Sequence, residues 1–145
     1  MERERSDQKF FHKIDILQQN ENIVNDELGQ FLNHKYINLE TYRKSGKVIQ
    51  TPVWFVIKND TIFVMTTKDT GKVKRLRNNQ NVRIAPCGFR GELKGDWVNG
   101  KVRFAEQEET KVAIDLRKKK YGFQARIIGA LVARKGEPIV IAIQI

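Results

Sequence analysis

The stretch that most constrains the fold is VIQTPVWFVIKNDTIFVMTT, residues 48–67, in which two apolar runs flank an Asn-Asp pair. Runs rich in Val, Ile, Phe, Trp and Thr favour β-strands, and Asn59-Asp60 is typical of a tight turn. We therefore predict a strand over Val48–Ile57, with its VWFVI run buried on both faces, and a second strand over Thr61–Thr67. The order of these signals predicts an antiparallel hairpin.

Further strand patterns lie on both sides of this hairpin. A turn at KSGK, where Gly46 supplies a permissive backbone, precedes it. The other predicted strands are KYINLETYR (35–43), NVRIAPC (81–87), DWVNGKVRF (96–104) and EPIVIAIQI (137–145).

Two helices are predicted before the last strand. The first starts with three glutamates, ends in the basic RKKK terminus at residues 117–120, which we expect to be exposed, and has Gly122 just past it. The second lies around Gln124–Ala133. About six strands with helices at the edges predict an α+β domain on a small antiparallel barrel.

Length and composition bound the kind of protein. The 145 residues suit one domain, which we place at residues 22–145 behind a polar N-terminal arm over residues 1–21. No apolar run is long enough to cross a bilayer and the start is charged, so we expect a cytoplasmic protein without a membrane partner. One cysteine and two histidines disfavour a metal site.

The net charge narrows the choice of partners. Lys and Arg number 27 against 17 Asp and Glu, a formal charge of +10, which favours nucleic acid or a phosphorylated cofactor. The chain has no glycine-rich dinucleotide fingerprint, Walker loop or nucleophile elbow. Catalysis by side chains alone is therefore disfavoured.

One segment combines the groups that bind a phosphate. Asp69 or Thr70 can cap a short helix whose Val73 and Leu76 share one face. Hydroxyls, backbone N–H groups and lysines meet at its start, which makes a phosphate cradle. The same residues also fit a plain strand end and a solvated basic helix. The cradle residues are Thr66, Thr67, Lys68, Thr70, Gly71 and Lys72.

Four landmarks between Tyr36 and Phe104 follow the order and spacing of a known family. They are YINLETYRKSGKVIQTPVWFV, TTKDTGKVKRLRNN, VRIAPC and GELKGDWV. In them the chain resembles the pyridoxamine-phosphate-oxidase-like split-barrel flavoproteins, in particular the deazaflavin (coenzyme F420)-dependent branch. The resemblance implies a six-stranded antiparallel split β-barrel with flanking helices, a homodimer, and coenzyme F420 or FMN at the subunit interface. It implies an oxidoreductase that transfers hydride between the cofactor and a small unsaturated substrate.

The resemblance also assigns roles to residues, although it implies no catalytic side chain. Trp97 would contribute to the substrate pocket, while a tryptophan in a strand also fits a core or a dimer interface. The strand backbone that would line the isoalloxazine or deazaflavin ring belongs to Gln50, Thr51, Pro52 and Val53. The phosphate would be held by Thr66, Thr67, Thr70, Gly71 and Lys72, with Lys68 and Arg75 nearby.

Two departures and two alternatives accompany this resemblance. The chain ends in VIAIQI instead of the Arg/His-bearing segment of authentic pyridoxamine phosphate oxidases, which argues against vitamin B6 oxidation. Gly71 stands where those oxidases carry a phosphate-binding arginine, so a backbone N–H would have to substitute. A cofactor-binding or storage protein without turnover, and a basic barrel that binds nucleic acid, remain alternatives. Against nucleic acid, Phe55, Phe63 and Tyr36 lie in patterned strands instead of on a stacking surface.

Overall fold

A computed structural model describes residues 27–127 and 136–145 of the chain. The chain divides into two compact units, Met1–Leu32 and Asn33–Ile145. The described part of the first unit is one helical turn over residues 27–29 and the turn after it. The predicted arm over residues 1–21 lies outside the described residues. Within the described ranges, no helix is long and apolar enough to cross a membrane.

The second unit is built on one curled antiparallel sheet. Its described strands lie in the order β2-β1-β5-β6-β7-β4-β3, and every neighbouring pair is antiparallel. The sheet forms a half-barrel with helices beside it, which confirms the α+β split-barrel fold. The elements are β1 (Tyr36–Tyr42), β2 (Val48–Trp54), β3 (Val56–Lys58), β4 (Thr61–Thr67), α1 (Gly71–Asn78), β5 (Asn81–Cys87), β6 (Val98–Phe104), α2 (Gln107–Tyr121) and β7 (Pro138–Gln144).

The described sheet has seven strands where the sequence predicted six, because the predicted strand Val48–Ile57 breaks at Phe55. The strands on either side of the break, β2 and β3, lie at opposite ends of the strand order. The Tyr121 hydroxyl accepts from the Phe55 N–H at 3.0 Å, and its proton is shared between the carbonyls of Lys35 at 2.7 Å and Phe55 at 2.9 Å. The expected burial on both faces is wrong here, since Val53 and Trp54 are only partly buried.

The predicted turns are confirmed. Asn59 and Asp60 have φ values of 51° and 61°, the left-handed pair that a two-residue hairpin turn requires. Gly46 has a φ of 87° between β1 and β2, a value that side chains disfavour. The strand that follows the Asn-Asp turn runs from Thr61 to Thr67, as predicted.

Both predicted helices with clear end signals are present. Thr70 caps α1, with its Oγ1 3.4 Å from the Val73 nitrogen, and Val73 and Leu76, which were predicted to share one face, are both fully buried. A capping box at Glu106 begins α2. Of the second predicted helix, residues 123–127 are helical and the remainder lies outside the described residues.

The basic end of α2 packs on the break between β2 and β3 through Arg117 and Lys120. The predicted exposure of the RKKK terminus is confirmed for Lys118 and Lys119, whereas Arg117 is partly buried. The Arg117 guanidinium lies 5.2 Å from the centroid of the Trp54 ring, and Tyr121 stacks on Trp54 at 4.1 Å. Lys120 Nζ donates to the Phe55 carbonyl at 2.9 Å, and burial lowers the pKa of Lys120 to about 8. These contacts fix the point at which the chain leaves β2.

Candidate functional site

Two adjacent residues of β1 hold arginines on opposite faces of the sheet. Consecutive strand side chains alternate between faces, so Glu40 and Thr41 point in opposite directions. Thr41 contacts Arg75 of α1, whereas Glu40 contacts Arg83 of β5. Glu40 and Thr41 are each only 1% exposed. The electrostatic surroundings of the two arginines differ, and this difference defines the site.

On the Thr41 face, Arg75 keeps its positive charge without a counter-ion. Its Nε donates to Thr41 Oγ1 at 2.7 Å, and it makes no ion pair within the described part of the chain. Burial, and secondarily the nearby Arg43, lower the pKa of Arg75. Burial, with a contribution from the Arg75 charge, likewise lowers the pKa of Lys72. The first turn of α1 contains no acidic residue, and Asp69 directly before the cap is a carboxylate near this otherwise cationic helix start.

Hydroxyl groups and backbone donors lie at the same helix start. Thr66 Oγ1 lies 3.4 Å from Thr70 Oγ1, and Thr70 Oγ1 donates to the Thr67 carbonyl at 3.1 Å. The N–H groups of Gly71 and Lys72 belong to the first turn of α1, where no intrahelical carbonyl can accept from them. The structure thus gathers most of the predicted phosphate residues at one helix start.

Lys68 is the exception among those residues. Its Nζ lies 3.6 Å from Glu137 Oε2, and its backbone N–H donates to the Glu137 carbonyl at 2.9 Å. Both side chains are largely exposed. The charge of Lys68 is therefore partly balanced at the start of β7.

The predicted ring strand, β2, lies at an edge of the sheet. Among the described residues it pairs only with β1. The Arg43 N–H donates to the Lys47 carbonyl at 2.9 Å, so Arg43 and Lys47 form a hydrogen-bonded pair. In an antiparallel ladder, hydrogen-bonded and non-hydrogen-bonded pairs alternate from there along β1 and β2. The alternation turns the backbone polar groups of Gln50, Pro52 and Trp54 away from β1. Pro52 occupies a position where its missing N–H removes no ladder hydrogen bond.

The edge strand runs beside the cationic helix start. Thr41, which holds Arg75, pairs with Ile49 of β2, and Leu39 pairs with Thr51. Ile49 and Thr51 therefore share the sheet face of Thr41, as does Val53 two residues further on. β2 also contacts β4, whose end leads into α1. One face of the sheet thus presents the edge strand and the cations together.

On the opposite face, Arg83 is neutralised. Its Nε and Nη2 donate to the two Glu40 carboxylate oxygens at 2.5 and 2.9 Å, and Gln50 and Tyr42 also donate to Glu40. The hydrogen bond from Arg83 is the main reason that the pKa of Glu40 falls to about 2, and the same contact raises the pKa of Arg83. The Trp97 ring centroid lies 4.9 Å from the Arg83 guanidinium carbon, so Trp97 is on this second face.

Sequence reasoning did not select Thr41, Glu40 or Arg83. The sequence does show a glutamate and a threonine within the alternating pattern of β1. That pattern predicts that the two side chains lie on opposite faces of the sheet, but it does not identify the arginines that they contact. The basic side chains at the helix start, Lys72 and Arg75, are hydrogen-bond donors and suit anion binding better than proton transfer. Among the described residues, no group of His, Cys, Asp and Glu could hold a metal ion.

The fold and the site define a split-barrel domain with a cationic helix start beside an edge strand. A family model, pyridoxamine 5'-phosphate oxidase, matches residues 24–145. Because the match covers most of the chain, the protein belongs to the pyridoxamine 5'-phosphate oxidase family. No curated protein matches the chain.

Solved structures share the fold at low sequence identity. The heme storage protein HutZ of Vibrio cholerae matches with a TM-score of 0.63 and 16% identity, over 83% of this chain and 89% of that one. An FAD-binding protein of Mesorhizobium loti matches with a TM-score of 0.56 and 13% identity, over 82% and 85%. ChuZ of Campylobacter jejuni has a TM-score of 0.62 and 16% identity, over 85% and 53%. These likenesses establish the fold alone.

Proposed function

We propose that the chain is an oxidoreductase that binds a phosphate-bearing flavin-type cofactor, coenzyme F420 or FMN, and transfers hydride between it and a small unsaturated substrate. The observation that carries this proposal is the cationic pair Lys72 and Arg75 at the start of α1, neither of which makes an ion pair within the described residues. Like charges held together destabilise each other unless an anion neutralises them. A phosphate provides that charge and the oxygens to accept several hydrogen bonds.

Each part of the site fits one part of such a cofactor. The Thr70 hydroxyl, the N–H groups of Gly71 and Lys72, and the Lys72 and Arg75 side chains would hold the phosphate. Thr66 and Thr67 would form the base of the cradle, and Lys68 would act from a greater distance.

The ring would lie along β2. The outward backbone groups of Gln50 and Pro52 would meet its polar edge, and Thr51 and Val53 share the sheet face of the cradle. The bound cofactor supplies the hydride chemistry, while the chain binds it, orients it and limits its contact with water. Trp97 lies with Arg83 on the opposite face, so a role in the substrate pocket would require a second subunit to bring it to the ring.

The open edge of β2 also supports a homodimer. A ring that lies along an unpaired edge strand would remain partly exposed to water in a single chain, and a second copy could cover it. Light scattering of the cofactor-loaded protein should report about twice the 16.9 kDa chain mass. A monomer at micromolar concentration would contradict the dimer while leaving cofactor binding intact.

Cofactor titration tests the proposal. FMN and coenzyme F420 are each added to the purified protein, and binding is followed by absorbance and fluorescence. We expect one of them to saturate at one molecule per chain. Absence of saturable binding by both would overturn the proposed function.

Turnover separates an oxidoreductase from a protein that stores the cofactor. The loaded protein is mixed with the reduced cofactor and a panel of activated enones, and loss of the reduced form is measured against a protein-free control. Oxidation that depends on the protein supports the enzyme. Stoichiometric binding without any such oxidation would support storage instead.

Nucleic-acid binding is a second candidate because the structure exposes aromatic rings that the strand patterns did not reveal. Phe89 and Phe123 are 69% and 74% exposed, and a cleft of about 330 Å³ joins Phe123 to Lys118 and Arg126. Exposed aromatic and basic side chains can stack on and attract single strands. Fluorescence anisotropy of a labelled single-stranded oligonucleotide distinguishes the two. Tight oligonucleotide binding without cofactor binding would favour this second candidate.

A further inference from the structure

The Arg75 guanidinium occupies space that a side chain at residue 71 would fill. A Cβ added at Gly71 would lie 2.9 Å from Arg75 Nη1 and 3.8 Å from Cζ. These atoms end a flexible side chain, so the arginine would move aside while the backbone stayed in place. Gly71 does not have a positive φ, so its backbone conformation does not require glycine. The absence of a side chain there is explained by room for the guanidinium.

Thr41 fixes the other side of the same guanidinium. Its Oγ1 accepts from Arg75 Nε at 2.7 Å, across 34 residues of sequence. Thr41 is nearly fully buried on β1, between β2 and β5, and its branched side chain has little rotamer freedom. Because the hydroxyl uses only Nε, the Nη1 and Nη2 groups remain for the planar, two-pronged recognition of an oxyanion.

A hydroxyl at this position orients the arginine without cancelling its charge. Glu40 shows the alternative on the opposite face, where a carboxylate holds Arg83 through two hydrogen bonds and forms an ion pair with it. An arginine held by threonine remains available to a second anion.

Resting on the function proposed above, we propose that Thr41 is a positioning residue whose hydroxyl, together with the empty side-chain space at Gly71, holds the Arg75 guanidinium ready to recognise the cofactor phosphate. Arg75 thereby supplies the guanidinium that the resembling oxidases carry at the position of Gly71. To the backbone N–H that the sequence predicts at that position, the proposal adds an arginine one helical turn further along.

The test compares each cofactor with its phosphate-free form, so that ring binding and phosphate recognition are measured separately. Dissociation constants are determined for FMN against riboflavin, and for coenzyme F420 against the corresponding deazaflavin without phosphate. The informative quantity is the preference for the phosphorylated form. The proteins are the wild type, Thr41→Val, Thr41→Ser and Gly71→Ala.

Thr41→Val is expected to reduce the phosphate preference about tenfold, as for the loss of one hydrogen bond to a charged group. Its affinity for the phosphate-free ring should stay near that of the wild type. Thr41→Ser keeps the hydroxyl and should restore most of the preference, which a purely structural role for the methyl group would not do. An unchanged preference in Thr41→Val would overturn the positioning role.

Gly71→Ala should separate stability from binding. Alanine favours a helix more than glycine does, so the melting temperature should stay equal or rise. Its methyl group displaces Arg75, so the phosphate preference should fall about tenfold. A wild type that binds no ring at all would refute the proposed function itself. A wild-type preference that survives in Thr41→Val would refute only the positioning role of Thr41, and one that survives in Gly71→Ala would refute the role of the space at residue 71.

Discussion

Arg83 and Arg75 lie on opposite faces of one strand, and the chain uses them differently. Arg83 donates to both oxygens of a buried glutamate, which raises the pKa of Arg83. Arg75 donates to a buried threonine and lies near other cations, and burial lowers the pKa of Arg75. Glu40 neutralises the charge of Arg83 within the fold, whereas Thr41 leaves the charge of Arg75 available to a ligand. An arginine that is oriented by a neutral acceptor therefore keeps its charge available for an anion.

The largest expected effect comes from removing the neutralised arginine. Arg83→Met leaves the Glu40 carboxylate buried without its main partner, so the melting temperature should fall by roughly 10 °C. Arg75→Met removes a charge that has no counter-ion, so its melting temperature should stay within about 2 °C of the wild type. Calorimetry of both variants without cofactor measures the difference. Equal decreases in melting temperature would show that the two arginines stabilise the fold equally.

Cofactor affinity, unlike the melting temperature, should depend on the cations at the start of α1. Lys72→Met keeps much of the apolar stem but removes the ammonium group, and binding should weaken by about 1.5–3 kcal/mol, the range for a hydrogen bond to a charged group. Lys118→Met is the matched control, since Lys118 is exposed on α2. Equal losses of affinity would indicate general attraction by the +10 chain and contradict a specific phosphate site.

Acid titration tests the ion pair between Glu40 and Arg83. The pKa of Glu40 is about 2 in the folded protein against an ordinary value of 4.5, so its ion pair stabilises the fold fully above about pH 4.5. That stabilisation is lost as the pH falls through 2. Glu109 has the same direction of shift, so the wild type must be compared with Glu40→Gln. Stability curves of the two proteins should converge between pH 4.5 and 2, and parallel curves would contradict the assignment.

The smallest expected effect concerns salt. Phosphate binding by Lys72 and Arg75 at a partly open helix start should weaken several-fold between low and high salt, because ions screen accessible charges. The contribution of the Glu40–Arg83 pair, whose carboxylate is buried, is measured as the melting difference between wild type and Arg83→Met and should change less. Equal salt sensitivity of both quantities would remove the distinction between the two faces.

Local features of the fold could be predicted from the sequence. The Asn59-Asp60 turn, the strand Thr61–Thr67 and the Thr70 cap depend on neighbouring residues, and the structure confirms them. The cluster at the start of α1 was also predictable, because its groups lie within a few residues. Its composition alone did not distinguish a phosphate site from a solvated helix.

Long-range contacts could not be predicted in this way. The break at Phe55 depends on the Tyr121 hydroxyl, 66 residues away, and the apolar run VWFVI contains no signal for it. Alternation in β1 places Glu40 and Thr41 on opposite faces, but their partners lie 43 and 34 residues away in sequence. The role of Gly71 also required the structure, because only the position of Arg75 shows what fills the space beside it.

Backbone amide NMR tests most directly where the cofactor binds. Proton–nitrogen spectra of the labelled chain are recorded while FMN or coenzyme F420 is added. The largest shift changes should fall on the amides of Gly71 and Lys72 and on those of Gln50 and Trp54 along β2, with small changes around Arg83. Saturable changes centred on Phe123, or spread evenly over the basic surface, would contradict a phosphate site at the start of α1.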